Sequence, residues 1–319
     1  MSETRVLVTG ASGFVGEALV FRLLLDKKIM PIAALRKSSR LQGLCPTVFL
    51  DLNQVNTFPA LNNVNVVVHA AARVHVMNET AADALEEFRN VNVNGTLKLA
   101  QHAAASGVKR FIFVSSIKVN GERTYRGKPF LANDPPAPVD PYAISKHEAE
   151  EQLKLLGQEC GMEIVIVRPP LVYGPGVKAN FQSMLSWLHR NIPLPLGAID
   201  NRRSLVSIGN LVDFLVMCID HPRASNNTFL VSDGEDMSTS QLLRRLGNGI
   251  NKPARLLSIP FWLLRFMAIL VGKKAIAGRL GDSLQVDIHK NQELLGWIPP
   301  VSVDKSLLQT ARHFLEKRR

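Results

Sequence analysis

The sequence predicts an α/β chain: a doubly wound parallel sheet with a smaller C-terminal lobe. Three observations carry the prediction. Apolar β-type runs alternate with helical patterns as far as Arg168, a glycine-rich turn joins the first run to an amphipathic helix, and prolines and glycines crowd 169–176 and 192–197. With 319 residues, 46% hydrophobic and 20% charged, the chain has the apolar content of a folded protein and suits one large α/β unit carrying a lobe.

The runs Val6–Val8, Ile29–Leu35, Val64–Val68, Phe111–Val114 and Ile164–Val167 are nearly continuous in apolar residues, as strands covered on both faces must be. A shorter run, Val48-Phe49-Leu50, lies between the second and third of them. Beyond Arg168 the lobe begins, and Ser204 to Ile219 is apolar enough to form a strand and helix that return to the main sheet. The expected division is therefore 1–169 with 204–231 for the sheet domain, and 170–203 with 232–319 for the lobe. Ser238-Thr239-Ser240-Gln241 has the form of a capping box, so a helix opens at Ser238.

Several classes are disfavoured. Ile259 to Val271 has about half the length needed to span a bilayer and contains Arg265, which predicts a buried or surface-lying helix and no integral membrane segment. No signal peptide is visible at the N-terminus. Cys45, Cys160 and Cys218 have neither disulfide nor metal-ligand spacing, which points to structural thiols in a reducing cytoplasm and to no metal. His69, at the end of a run of valines, reads as a packed strand-end residue. The net charge of +11 suits anionic partners. Its clusters (Arg36-Lys37, Arg202-Arg203, Arg244-Arg245, Lys273-Lys274) are short and lack interleaved aromatics, so no nucleic acid is expected.

Thr9-Gly10-Ala11-Ser12-Gly13-Phe14-Val15-Gly16 places glycines at three-residue intervals between strand and helix. Bare backbone there turns tightly, lets a pyrophosphate approach and offers it helix N-terminal N–H groups. At the end of the second strand, Arg36-Lys37-Ser38-Ser39-Arg40 lacks the carboxylate that would hold a ribose 2′-OH, which favours NADP while leaving NAD possible. Asp51 and Leu52, after the third run, are placed to reach an adenine.

Asp140-Pro141-Tyr142-Ala143-Ile144-Ser145-Lys146 reads as a helix start with Asp140 as N-cap and Pro141 at the first helical position. Tyr142 and Lys146 then share a face. A tyrosine ordinarily titrating near 10 must lose roughly three pH units to exchange protons near neutrality, and an ammonium beside it, with a cationic cofactor ring, can supply that. Ser116 at the end of the fourth strand would donate a hydroxyl to the same substrate oxygen.

The glycine turn, Asn92-Val93-Asn94-Gly95-Thr96, Ser115-Ser116, Tyr142-x-x-x-Lys146, Arg168-Pro169-Pro170-Leu171-Val172-Tyr173-Gly174-Pro175, Arg203-Ser204-Leu205-Val206 and Asp287-x-x-Lys290 with Leu295-Gly296-Trp297-x-Pro299 together resemble the extended short-chain dehydrogenase/reductases of the nucleotide-sugar epimerase/dehydratase group. The resemblance covers nearly the whole chain. It implies a Rossmann domain with a sugar-nucleotide-binding lobe, catalytic Ser116, Tyr142 and Lys146, and a homodimer formed through the Tyr142 helix. For the cofactor it implies contacts from Gly10, Ser12, Gly13, Phe14, Val15, Gly16, Arg36, Asp51, Leu52, Ala70, Ala71, Ala72, Asn92, Val114, Tyr142, Lys146 and Pro169. For a UDP-sugar it implies Arg73, Ser116, Lys118, Asn180 and Arg203, the last two at the diphosphate.

Dehydratases of the group resemble Ser/Thr-Asp-Glu where this chain has Ser116-Ile117-Lys118, so dehydration is not expected. Leu171 and Asn120 also depart from the usual epimerase pattern. The phrases around Arg73–Met77, Ser115–Gly121 and Asn201–Val206 resemble reductases that form UDP-N-acetylquinovosamine or UDP-N-acetylfucosamine from a 4-keto-6-deoxy sugar in O-antigen synthesis. NAD(P)-dependent 4-keto reduction is thus the leading expectation and UDP-sugar 4-epimerisation the alternative. A non-enzymatic dinucleotide- or RNA-binding protein would suit the basic balance, but the intact Ser116, Tyr142 and Lys146 argue against it.

Overall fold

A computed structural model describes residues 3–54, 58–74, 84–270 and 281–318, with the side chains of 267–270 left aside. Six parallel strands build the first part of the main sheet: β1 (Thr4–Thr9), β2 (Ile29–Leu35), β3 (Thr47–Phe49), β4 (Val66–His69), β5 (Arg110–Val114) and β6 (Glu163–Arg168). β7 (Leu171–Tyr173) and β8 (Leu205–Ser207) pair with each other in a separate two-stranded sheet, and β9 (Asn227–Leu230) completes the main one beside β6. The order β3-β2-β1-β4-β5-β6-β9 reverses direction at β1, where the crevice between β1 and β4 opens at the carboxyl ends of the strands.

The strand expected in Ser204–Ile219 therefore does not return to the main sheet. Its three residues satisfy their backbone groups against β7, while the helix that follows, Ile208–Asp220, packs on the sheet. The strand that does return, β9, carries Asn227 and Thr228 in place of a long apolar run, because it lies at the sheet edge.

Two apolar layers cover the sheet. One joins α1 (Phe14–Leu24) and the 208–220 helix through Leu19, Leu23, Leu211, Phe214 and Trp297. The other uses α2 (Ala84–Arg89), a π-helical turn (Asn90–Gly95), α3 (Thr96–Ala105) and α4 (Pro141–Cys160), with Leu99, Ala103, Ala149 and Leu153 against Phe111 and Ile164.

In the lobe, α5 (Ala179–His189), then α7 (Thr239–Gly249) after the 208–220 helix α6, and, beyond α8 (Phe261–Leu270) and α9 (His289–Leu295), α10 (Val303–Glu316) enclose Tyr173, Phe181, Leu243 and Leu307. Ser238 caps α7 by the full capping box, donating and accepting with Gln241 as its sequence requires. Among the described residues no helix is long and apolar enough to cross a membrane.

Candidate active site

The glycine turn follows β1 directly. Gly10 adopts φ +65°, and a Cβ there would meet Ala71 N at 2.7 Å, so the backbone just after β4 leaves no room for a side chain. A Cβ on Gly16 would meet Gly10 O at 2.3 Å. Gly13 N–H donates to Gly10 O at 2.8 Å, and Gly13 is the N-cap of α1 without any side-chain cap. The first N–H groups of α1 thus have no side chain of the cap to satisfy them, which suits a phosphate. Ser12 and Gly13 are exposed at the turn, while Phe14 and Val15 are half-buried behind it.

Around this cradle the expected cofactor residues assemble from other elements. Arg36 and Lys37 are exposed at the end of β2 beside a cavity of about 240 Å³ that Leu35, Ser38, Gln42 and Phe49 also line. Leu52 is buried against Gly95 of the π-helical turn, and Asp51 is half-buried next to it. Ala70, Ala71 and Ala72 follow β4 and are half-buried. Ala71 N–H donates to Thr9 Oγ1 at 3.2 Å.

His69 is fully buried, bridged to Thr9 Oγ1 at 2.8 Å and Thr96 Oγ1 at 2.9 Å. Burial, and then the Lys146 charge, push its titration down to about 3, so it is a neutral packed residue as its setting predicted. Where a bare-backbone turn, a basic strand end and small residues after β4 converge on one crevice, the residues fit a dinucleotide.

Asp140 caps α4, accepting from Ala143 N–H at 2.7 Å, with Pro141 in the first turn. Tyr142 lies in that turn, its ring edge-on to Phe88 at 6.0 Å. Lys146, one turn on, is buried, donates to Val114 O at 2.8 Å and stands 3.8 Å from the Phe113 ring centre. Val114 thus anchors α4 to the strand end that carries Ser116. Ser116 caps a 3₁₀ turn (Ile117–Val119) by accepting from Lys118 N–H at 3.3 Å. Pro169, also buried, holds the same turn through its carbonyl, which accepts from Ile117 N–H at 3.0 Å. Asn92, in the π-helical turn, accepts from Arg73 N–H at 2.8 Å and donates to Ser145 Oγ at 3.0 Å, fixing the helix bend to α4.

Burial sets the electrostatics of the protein alone. Burial, followed by the Asp140 carboxylate, pushes Tyr142 up to about 12, and burial pulls Lys146 down to about 7 despite the nearby Glu150. The ammonium faces a carbonyl and an aromatic ring, so the protein alone keeps the phenol protonated.

The substrate candidates are less concentrated. Lys118 is in an ion pair with Asp140 and so also joins the Ser116 turn to the start of α4. Arg73 stands 3.6 Å from Glu87 and faces the Phe88 ring at 6.0 Å. Asn180 is exposed in the first turn of α5. Arg203 is half-buried between bridges to Met237 and Leu284, and its Nη1 donates to Asp282 O at 3.3 Å. The segment His75–Met77, the Lys273-Lys274 pair and the end of the 259–271 stretch lie outside the described residues.

Sequence reading missed a buried polar cluster under this site. Glu150 of α4 accepts from Ser115 Oγ and from Arg168 Nε at 3.0 Å, and Arg168 Nη1 donates to Asn120 Oδ1 at 2.9 Å. All four side chains are buried. The available signal was spacing: Glu150 continues the four-residue interval that joins Tyr142 to Lys146.

Comparison with known proteins bears on the family and the fold. The family model "NAD dependent epimerase/dehydratase family" matches residues 6–232. A UDP-glucose 4-epimerase from Vibrio cholerae is 49% identical over 98% of this chain and 95% of its own. A crystal structure of UDP-glucose 4-epimerase with UDP-glucose from Thermotoga maritima superposes with a TM-score of 0.77 at 22% identity, covering 99% of this chain and 100% of that one. RMD from Pseudomonas aeruginosa, complexed with NADPH, gives 0.75 at 22% identity, covering 98% and 99%.

Proposed function

The chain belongs to the NAD dependent epimerase/dehydratase family, and from that membership we propose that it is a UDP-sugar 4-epimerase acting through Tyr142. The 49% identical epimerase, aligned over nearly both lengths, is the observation that carries the reading beyond family level. It moves the preference away from the 4-keto reduction favoured by sequence.

On this reading Gly10, Ser12, Gly13 and Gly16 hold the dinucleotide pyrophosphate and Leu52 lies against its adenine, with Val114, Pro169 and Ala70–Ala72 beside it. When bound, the nicotinamide supplies hydride acceptance and return. Tyr142 Oη takes the proton from the sugar O4 as the C4–H bond breaks, and gives it back when hydride returns to the opposite face of the 4-keto sugar. Ser116 donates to the same oxygen. Lys146 keeps positive charge beside the phenol, while Arg203, with Asn180, holds the diphosphate. Arg73 and Lys118 line the sugar side. Because burial keeps the resting phenol protonated, it must first release that proton to solvent, which a cationic nicotinamide bound beside Lys146 would favour, before Tyr142 Oη can accept one from O4.

One feature favours 4-keto reduction as a second reading: the turn of Arg36 and Lys37, with no acid, suits a 2′-phosphate. The deciding experiment incubates the purified chain with UDP-galactose, and with UDP-N-acetylgalactosamine, without added NAD(P)H, reading C4 configuration by NMR. A parallel arm supplies UDP-4-keto-6-deoxy-N-acetylglucosamine with NADPH. Turnover only in the second arm replaces epimerase by reductase, and turnover in neither refutes both. The reading also has the chain act as a homodimer through α4, where Leu155 is exposed, to be checked by light scattering.

A further inference from the structure

Beneath the reacting groups, α4 carries a third functional-face side chain. Tyr142, Lys146 and Glu150 follow one another at four-residue spacing, so they form a single file along the helix. Glu150 is completely buried, and the ends of two strands hold it. Ser115 Oγ, next to Ser116 at the end of β5, donates to it, and so do Arg168 Nε and Nη2 from the end of β6. Arg168 in turn donates to Asn120 Oδ1, and Asn120 Nδ2 donates to Leu131 O at 3.0 Å.

Charge balance makes this cluster more than packing. Two buried cations, Lys146 and Arg168, share one buried anion. Lys146 itself has a carbonyl and an aromatic ring as neighbours and no ion pair among the described residues. The other charged groups around α4 are already committed elsewhere. Arg89 of α2 is bound by Glu148, and Lys118 of the 3₁₀ turn by Asp140. His69 of β4, stacked on Phe113, is neutral. An ammonium in such a setting loses its proton unless a negative charge lies nearby, and Glu150 is the carboxylate one helical turn away.

We propose that Glu150 is a positioning residue: its carboxylate keeps Lys146 cationic from one turn below and, by holding Ser115 and Arg168, sets the strand end that presents Ser116. The inference rests on the proposed role of Tyr142 and Lys146 but concerns the charge of Lys146 itself. Burial pulls Lys146 down to about 7 and Glu150 opposes that pull, so the ammonium is close to losing its proton and sensitive to the loss of its counter-charge.

The test compares the full-length chain with Glu150→Gln, an isosteric change that removes the charge, and Glu150→Asp, which keeps it. Lysine labelled with ¹³C at Cε reports the titration of Lys146 by NMR, the resonance being assigned through Lys146→Arg. In Glu150→Gln the midpoint should fall by at least one pH unit, about tenfold in proton affinity. The high-pH loss of turnover should move down with it, while KM changes less than threefold. In Glu150→Asp, with its carboxylate drawn back by one methylene, both should move the same way by less than half as much.

A purely structural Glu150 would lower thermal stability and turnover at all pH values and leave the midpoint in place; an unmoved midpoint in folded Glu150→Gln overturns the proposal. Should that variant not fold, Glu150→Asp decides by the same criterion, a downward shift supporting and no shift refuting. The titration needs no substrate, so an inactive wild-type chain would defeat the functional reading without deciding this one.

Discussion

Gly16→Ala makes the cofactor turn answer for itself. The added methyl would stand 2.3 Å from Gly10 O, 2.7 Å from Gly10 C and 2.9 Å from Ala11 Cα, all of them backbone atoms. Ordinary carbon contacts begin near 3.4 Å, so the turn must retreat by about 1 Å. It cannot retreat toward β4, because Gly10 is already tight against Ala70 and Ala71. The turn must instead open outward, into the space a pyrophosphate would use.

Overpacking of this kind costs about 1–3 kcal/mol, and about 2–4 °C of Tm is lost per kcal/mol in domains approaching this size. A drop of a few degrees is expected, together with at least tenfold weaker dinucleotide affinity as the N–H groups at the start of α1 lose their aim. Titration calorimetry with NAD and NADP, beside a thermal melt, measures both. Wild-type affinity for both dinucleotides in a folded Gly16→Ala variant would show that this turn is not where the cofactor binds.

Tyr142→Phe keeps the edge-on contact with Phe88 and should leave Tm and cofactor affinity unchanged while lowering turnover by about 10²–10⁴-fold; turnover within threefold of wild type would remove the mechanism. Lys146→Met should abolish turnover yet stabilise the fold, most at low pH. The folded Lys146 titrates near 7, against an ordinary 10.5, so its burial penalty is full below 7 and fades as pH rises toward 10.5. A Tm gain that grows with pH contradicts this sign. Arg36→Asp combined with Lys37→Ser should cut the NADP-to-NAD affinity ratio by about tenfold or more, the worth of one or two charge-assisted bonds; an unchanged ratio would show that neither cation faces a 2′-phosphate.

Much of the local geometry at the candidate site was readable in sequence because it is written in local chemistry. The glycine interval demands bare backbone, and Asp140-Pro141 demands a helix start. The strand runs are apolar because both faces of the sheet are covered, and His69 is buried as a residue following three valines should be. What escaped depends on distance in space. β8 has three residues and finds its partner in β7, a pairing that no periodicity encodes. β9 lies at an edge and so lacks the apolar density of its neighbours. Glu150, Arg168 and Asn120 look like surface residues one at a time, and only the fold joins residues 115, 120, 150 and 168 into one cluster. The protonation of Tyr142 in the protein alone was not legible either, since burial there outweighs a lysine whose ammonium is directed at Val114 O and the Phe113 ring.

The pairing of β7 with β8 bears on how such a molecule can be altered. The chain leaves the main sheet after β6, passes through β7, returns through β8 into α6, and leaves again after β9. Tyr173 of β7 donates to Asp233 beyond β9, and Asp233 also accepts from Ser207 N–H and Asn210. Three separate passages are thus riveted together at one crossing. No single cut frees the lobe intact, and exchanging it for another lobe would require three simultaneous splices.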